Sequence, residues 1–182
     1  KPGDIRVADV NGDKIISTTG DRVVLGSAVP KYIIGFTNDF KIGPVDLSIY
    51  VFARQGQMFI SQYAQKFEPN AIENGAVVDY WTPENPTNSY PRPNANISRA
   101  SLPFATTLGY QDGSFIKIRN ITMGLTMPKN VVEKLNVKNL RVYLSARNFF
   151  NFSKVDNYDP EGEGSFERPL TNLLLAGINV DF

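Results

Sequence analysis

Three groups of side chains have the types and spacing that chemistry needs. Asp9-Val10-Asn11-Gly12-Asp13 sets oxygen-bearing side chains at alternate positions, as the start of an EF-hand-like loop does around calcium, and Asp21 follows closely enough to close the site. The match is incomplete, because Lys14 stands where such a loop needs glycine and no glutamate occupies the bidentate position. Two readings follow: a structural calcium on Asp9, Asn11, Asp13 and Asp21, or a turn-rich connection that closes on its own carboxylates and binds nothing. Glu161, Glu163 and Glu167 form the second group, and paired acids cleave glycosidic bonds. They lie in a glycine-rich stretch with nothing to bury them or to separate their pKa values, so a solvated charge run is expected. The third group is Tyr80, Trp81 and Tyr90, set among Pro83, Pro86, Pro91 and Pro93. Proline fixes φ and stiffens an extended loop, so these rings are held either as a stacking surface for a sugar or as packing of the loop onto its own base. Arg92 and Arg99 read as loop hydrogen-bond donors.

Other chemistry is excluded by composition. The 182 residues include no His and no Cys, which removes Ser-His and Cys-His catalysis, histidine-dependent zinc hydrolysis, disulfides and thiolate metal sites. With 19 Lys and Arg against 18 Asp and Glu the net charge is +1, which lacks the basic excess of a nucleic-acid binder. At 42% hydrophobic and 20% charged the chain is not a disordered one. No run reaches about 18 consecutive apolar residues, and the start KPGDIRVADV lacks the apolar region of a signal peptide. A membrane-spanning β-strand needs only about 9 to 11 residues with every second one apolar.

The elements that position these groups alternate with a period of two. Tyr32, Ile34, Phe36 and Phe40 share one face of a first strand, and Val45, Leu47, Ile49, Val51 and Ala53 one face of a second. Gly43-Pro44 between them makes a tight hairpin. A third strand runs from about Ser114 to Met127, with Ile121, Met123, Leu125 and Met127 aligned; a fourth starts near Leu140, with Val142, Leu144 and Ala146. The last carries Leu174, Ala176, Ile178, Val180 and Phe182. Arg54, Arg141, Tyr143 and Arg147 fall on the opposite, polar face and are expected to form a ladder of hydrogen bonds. Lys117 and Arg119 share the apolar parity of their strand, which predicts that they lie above the hydrocarbon or past a bulge. The segment 129–138 allows one or two helical turns.

Segments 1–31, 57–113 and 151–169 are read as long loops, and they alternate along the chain with the short connections at 41–44 and 128–139. Outer-membrane barrels have this asymmetry, with long loops outside and short periplasmic turns. The fold class is therefore all-β, antiparallel and up-and-down. Five strands cannot close a membrane barrel, and open edges do not survive in hydrocarbon, so the chain is expected to be the C-terminal part of a larger one.

Six ordered blocks carry a resemblance. They are Pro2-Gly3-Asp4-Ile5-Arg6 leading to Asp9–Asp13; Gly26 through Pro30-Lys31 to Gly35-Phe36; Tyr80 to Asn88 with Tyr90-Pro91-Arg92; Asp112 to Gly124; Leu140-Arg141-Val142-Tyr143 with Arg147-Asn148-Phe149-Phe150; and Tyr158-Asp159-Pro160 before the terminal strand. In these the chain resembles the C-terminal end of a SusC/RagA-type TonB-dependent outer-membrane transporter of the Bacteroidota. The resemblance implies a plugged barrel of about 22 strands, without catalytic residues, that imports glycans or peptides beneath a SusD-like surface lipoprotein and is energised by the TonB complex through an N-terminal part absent here. It makes Tyr80, Trp81 and Tyr90 candidates for contact with substrate or lid. It also makes Phe182, a terminal aromatic on an alternating strand, a candidate barrel-assembly signal beside its role as an interfacial aromatic. The rivals are a soluble all-β carbohydrate-binding module ordered by calcium, whose apolar faces pair as a sandwich core, and a carboxylate-dependent glycan hydrolase.

Overall fold

The computed structural model describes residues 1–61, 77–94, 107–155, 159–162 and 170–182. Five long strands pair antiparallel in chain order as one sheet: β1 (Tyr32–Ile42), β2 (Val45–Gln55), β5 (Phe115–Thr126), β6 (Asn139–Ser153) and β7 (Leu173–Asp181). Between β2 and β5 lie two three-residue strands, β3 (Met58–Ile60) and β4 (Tyr110–Asp112), which pair only with each other. The expected 57–113 loop thus begins and ends in strand, and β6 runs three residues into the expected 151–169 loop.

The short connections are built as the sequence requires. Ile42 pairs with Val45 across a two-residue turn, and Gly43 takes the positive φ (58°) that tight hairpin turns demand. Helix α1 (Lys129–Lys134) starts after Pro128, buries Val132 and stops where Asn136 adopts φ 54°. Its six residues could not hold a helix alone, so it is a folded turn between β5 and β6.

Cross-strand register puts the alternating residues on common faces. One row runs Phe40, Leu47, Met123, Leu144, Ala176, all apolar; the adjacent row runs Asp39, Ser48, Thr122, Ser145, Leu175. The apolar face is bare. Met123 is 54% and Ile178 64% exposed, and among the described residues the only buried hydrophobic side chains are Ala53, Phe115, Val132 and Val155. A continuous apolar surface of this kind is a contact surface for another apolar phase rather than a water-facing one. Among the described residues no second layer of strands covers it.

The register shifts at one level, between Tyr50 and Val51 on β2 and between Ile118 and Asn120 on β5, leaving Arg119 as an extra residue. On β6 the same level holds Asn148, at φ 61°. Past this bulge Ile116 and Ile118 join Ala53 and Val51 on the apolar face, while Lys117 pairs with Phe52 and Asn151 on the polar one. The misplaced charges of β5 are thus explained by a bulge that inverts the parity of the strand. No described helix is long and apolar enough to cross a membrane.

Candidate functional site

At the end of the sheet opposite the Gly43-Pro44 hairpin, the loops enclose a cleft of about 830 Å³. Its lining draws on three separate stretches and includes Arg6, Asp21, Arg22, Trp81, Tyr90 and Tyr110. Trp81 and Tyr90 reach the cleft because a short bridge pairs Tyr80 with Tyr90, and Trp81 N–H donates to the Tyr90 carbonyl at 3.1 Å. Tyr80 is not part of that lining and is 44% exposed.

The proline-rich loop is closed by side chains. Asp79 accepts from the Thr87 hydroxyl at 2.6 Å and from Asn85 Nδ2 at 2.8 Å, and these bonds, Thr87's foremost, hold its carboxyl below the ordinary range. Trp81 lies over Gly3, where φ is 81° and any Cβ would meet the indole ring. Beside it Arg92 N–H donates to the Gly3 carbonyl at 2.8 Å, while Arg92 Nε donates to Asp4 at 2.6 Å. The Arg92 guanidinium is the largest cause of the fall in the Asp4 pKa from 3.8 to about 2. Packing of Trp81 onto the loop base and its place in the cleft wall therefore hold together. Arg92 is a loop donor, as expected; Arg99 lies outside the described residues.

The calcium-like loop closes on itself. Asp9 accepts from the amides of Gly12 (2.7 Å) and Lys14 (2.9 Å), and Asp13 from that of Ile15 (2.7 Å). Asn11 Nδ2 donates to Asp13 at 2.9 Å. Asp21 accepts from Ser17 N–H at 2.7 Å and Val10 N–H at 2.8 Å, and these amides lower its pKa, Ser17's most. Among the described residues no three acidic, His or Cys side chains gather closely enough to share an ion. As placed, these oxygens face N–H donors rather than a common point, so they do not fit around calcium without rearrangement.

Glu161 departs from the solvated charge run that its glycine-rich surroundings suggest. Its side chain is only 16% exposed, and it pairs with Lys117 at 3.2 Å and with Arg119. The chain folds back after β6 and brings this carboxylate to the cations of β5, a pairing across more than forty residues that composition does not reveal. Glu163, Glu167 and Tyr158 lie outside the described residues.

On the polar face Arg141 reaches across β5 to Asp46, Nε to Oδ1 2.9 Å, over Gly124, where a Cβ would collide with the guanidinium. Arg141 also covers the Tyr143 ring at 5.3 Å. Nearby, Asn120 donates to Thr122, Thr122 to Ser145 and Ser145 back to Asn120, at 2.8–3.0 Å. Of the four residues expected in the ladder, Arg141 bonds across the sheet to Asp46 and covers Tyr143; further bonds on this face join Asn120, Thr122 and Ser145. Phe182, just past β7, is 85% exposed.

The chain is 33% identical over 202 residues to TonB-dependent receptor P26 of Formosa agariphila, covering 99% of itself and 20% of that protein. Receptor P3 of the same organism is 27% identical over 178 residues. Over nearly its whole length the chain is similar to part of the TonB-dependent receptors. In the RagAB peptide importer, open-open state, 92% of this chain superposes on 19% of one chain with a TM-score of 0.71 at 21% identity; the closed-closed state gives the same figures. No protein-family model matches. The chain spans about a fifth of the length of the receptors it matches. It is part of the β-barrel of an outer-membrane receptor, not of an enzyme.

Proposed function

We propose that the chain forms part of the wall and outer rim of an active transporter that imports oligosaccharides or peptides beneath a SusD-like surface lipoprotein, with energy delivered by the TonB complex. The observation that carries this reading is the single-layer sheet, apolar and bare on one side, polar and cross-bonded on the other. Lipid fits the first face and a plugged, hydrated lumen the second. Segments 1–31, 57–113 and 151–169 then lie outside the cell, and the cleft wall with Trp81 and Tyr90, together with exposed Tyr80, meets substrate or lid. The polar ladder faces the plug, and Phe182 is read by the assembly machinery.

The test uses the full-length receptor in its own outer membrane. Labelled oligosaccharides and peptides are offered to cells with and without TonB, and the receptor is purified to ask whether a surface lipoprotein accompanies it. Uptake of one class that disappears without TonB is expected; uptake that persists overturns the energisation. Deleting Phe182 is expected to lower the amount of assembled receptor several-fold, and unchanged assembly removes its role as a signal. The rival soluble carbohydrate-binding module requires a monodisperse, detergent-free monomer.

A further inference from the structure

Past the bulge, the polar face of β5 carries an ammonium group with no access to water: the Lys117 side chain is 0% exposed. A buried cation persists only where opposite charge meets it. Asp159 and Glu161 do so, and Glu161 also takes Arg119, giving two cations and two anions. Both carboxylates come from one short turn on the β6–β7 connection, Asp159–Gly162. The turn is self-supporting, since the amides of Glu161 and Gly162 donate to the Asp159 carboxylate (2.9 Å) and carbonyl (3.0 Å). Pro160 between them is fully buried. Beneath lies an aromatic pair: Arg119 stacks 3.9 Å from the Phe52 ring centre, Lys117 stands 5.7 Å from that of Phe115, and the two rings are 6.0 Å apart.

We propose that Lys117 is the pin of a charge lock that keeps the Asp159–Gly162 turn docked on the polar face of the sheet, making it a fixed lining of that face rather than part of a free surface loop. The charge balance carries the argument. With the turn docked, Lys117 and Arg119 each meet a carboxylate, while Arg54 stands over the same Phe52 ring as a third cation; lifting the turn strands Lys117 and Arg119 on the wall and costs the turn its only buried residue. The nearby Lys154–Asp112 pair has no such consequence, because the Lys154 side chain is 80% exposed and water replaces its partner. The lock rests on the geometry of the wall and holds whichever cargo the receptor carries.

Amide hydrogen exchange of the full-length receptor in detergent, read by mass spectrometry, tests this in the wild type, K117M and D159N/E161Q. The double variant preserves side-chain size and leaves an oxygen at residue 159 to accept the Glu161 amide. Exchange at Glu161 and Gly162 is expected to accelerate about tenfold or more in both variants, with β2, β5 and β6 unchanged. Exchange within about twofold of wild type in a folded variant overturns the lock. Should both variants unfold the sheet, E161Q alone, which leaves Asp159 on Lys117, decides by the same criterion.

Discussion

The wall and the rim of this molecule are held by different bonds. In the wall, five strands exchange backbone hydrogen bonds in continuous ladders, and the side chains only decide which face is which. Among the described rim residues few ladders exist, and individual side chains take over backbone duties: Asp9, Asp13, Asp21 and Asp79 each close a turn, and Arg92 ties two loops together. A wall built this way tolerates most changes that keep polarity, except where a side chain lies over a glycine, as Arg141 does over Gly124. A rim built this way depends on single atoms, so losses there are local and do not spread to the sheet.

That contrast is broken most directly at the centre of the apolar face. Ile121→Arg is expected to cost about 2–4 kcal/mol in the bilayer, whereas Thr37→Arg on the polar face costs about 0.5 kcal/mol or less. Unfolding of the full-length receptor in membranes measures both, and equal costs would remove the assignment of faces. Next comes the tie between the loops. Trp81→Ala is expected to expose the Gly3 turn and raise amide exchange across residues 1–8 without touching β1 or β2; a response in the strands would show that rim and wall are coupled.

A smaller effect follows from Asp4. Its carboxyl is depressed in the folded chain, so its contribution to docking of the N-terminal turn is complete above about pH 4 and is lost as pH falls toward about 2. Local exchange in that turn should rise over this acid interval alone, and Arg92→Ala should shrink the dependence by removing the largest cause of the depression. The smallest signal is expected from calcium. With its oxygens closed on backbone amides, the Asp9–Asp21 loop should give the same calorimetric heats as Asp13→Ala; heat lost in the variant would show that the ion reorganises the loop.

The five long strands were legible because two-residue periodicity reports burial directly, and even the bulge at Arg119 left a trace as charges on the wrong parity. β3 and β4 left none: three residues each, they pair across a connection of about fifty and owe their position to kinks at Gly56 (φ 77°) and Gly113, whose missing Cβ admits the Phe59 ring. The rim was legible as a set of residue types and not as contacts. Trp81 meets Gly3, and Glu161 meets Lys117, only because distant stretches return to the sheet. A glutamate between a proline and a glycine reads as solvated until the fold supplies its partner.

The closed ring of Asn120, Thr122 and Ser145 has a kinetic consequence. Both hydroxyl protons are already given to neighbours in the sheet, so neither hydroxyl has a proton left for a molecule that meets this part of the wall. Where a row of free donors and acceptors would make successive traps, this stretch presents a shallow energy profile. A scarcity of free hydroxyl donors is then a property of the wall itself, obtained without a single apolar side chain among the three.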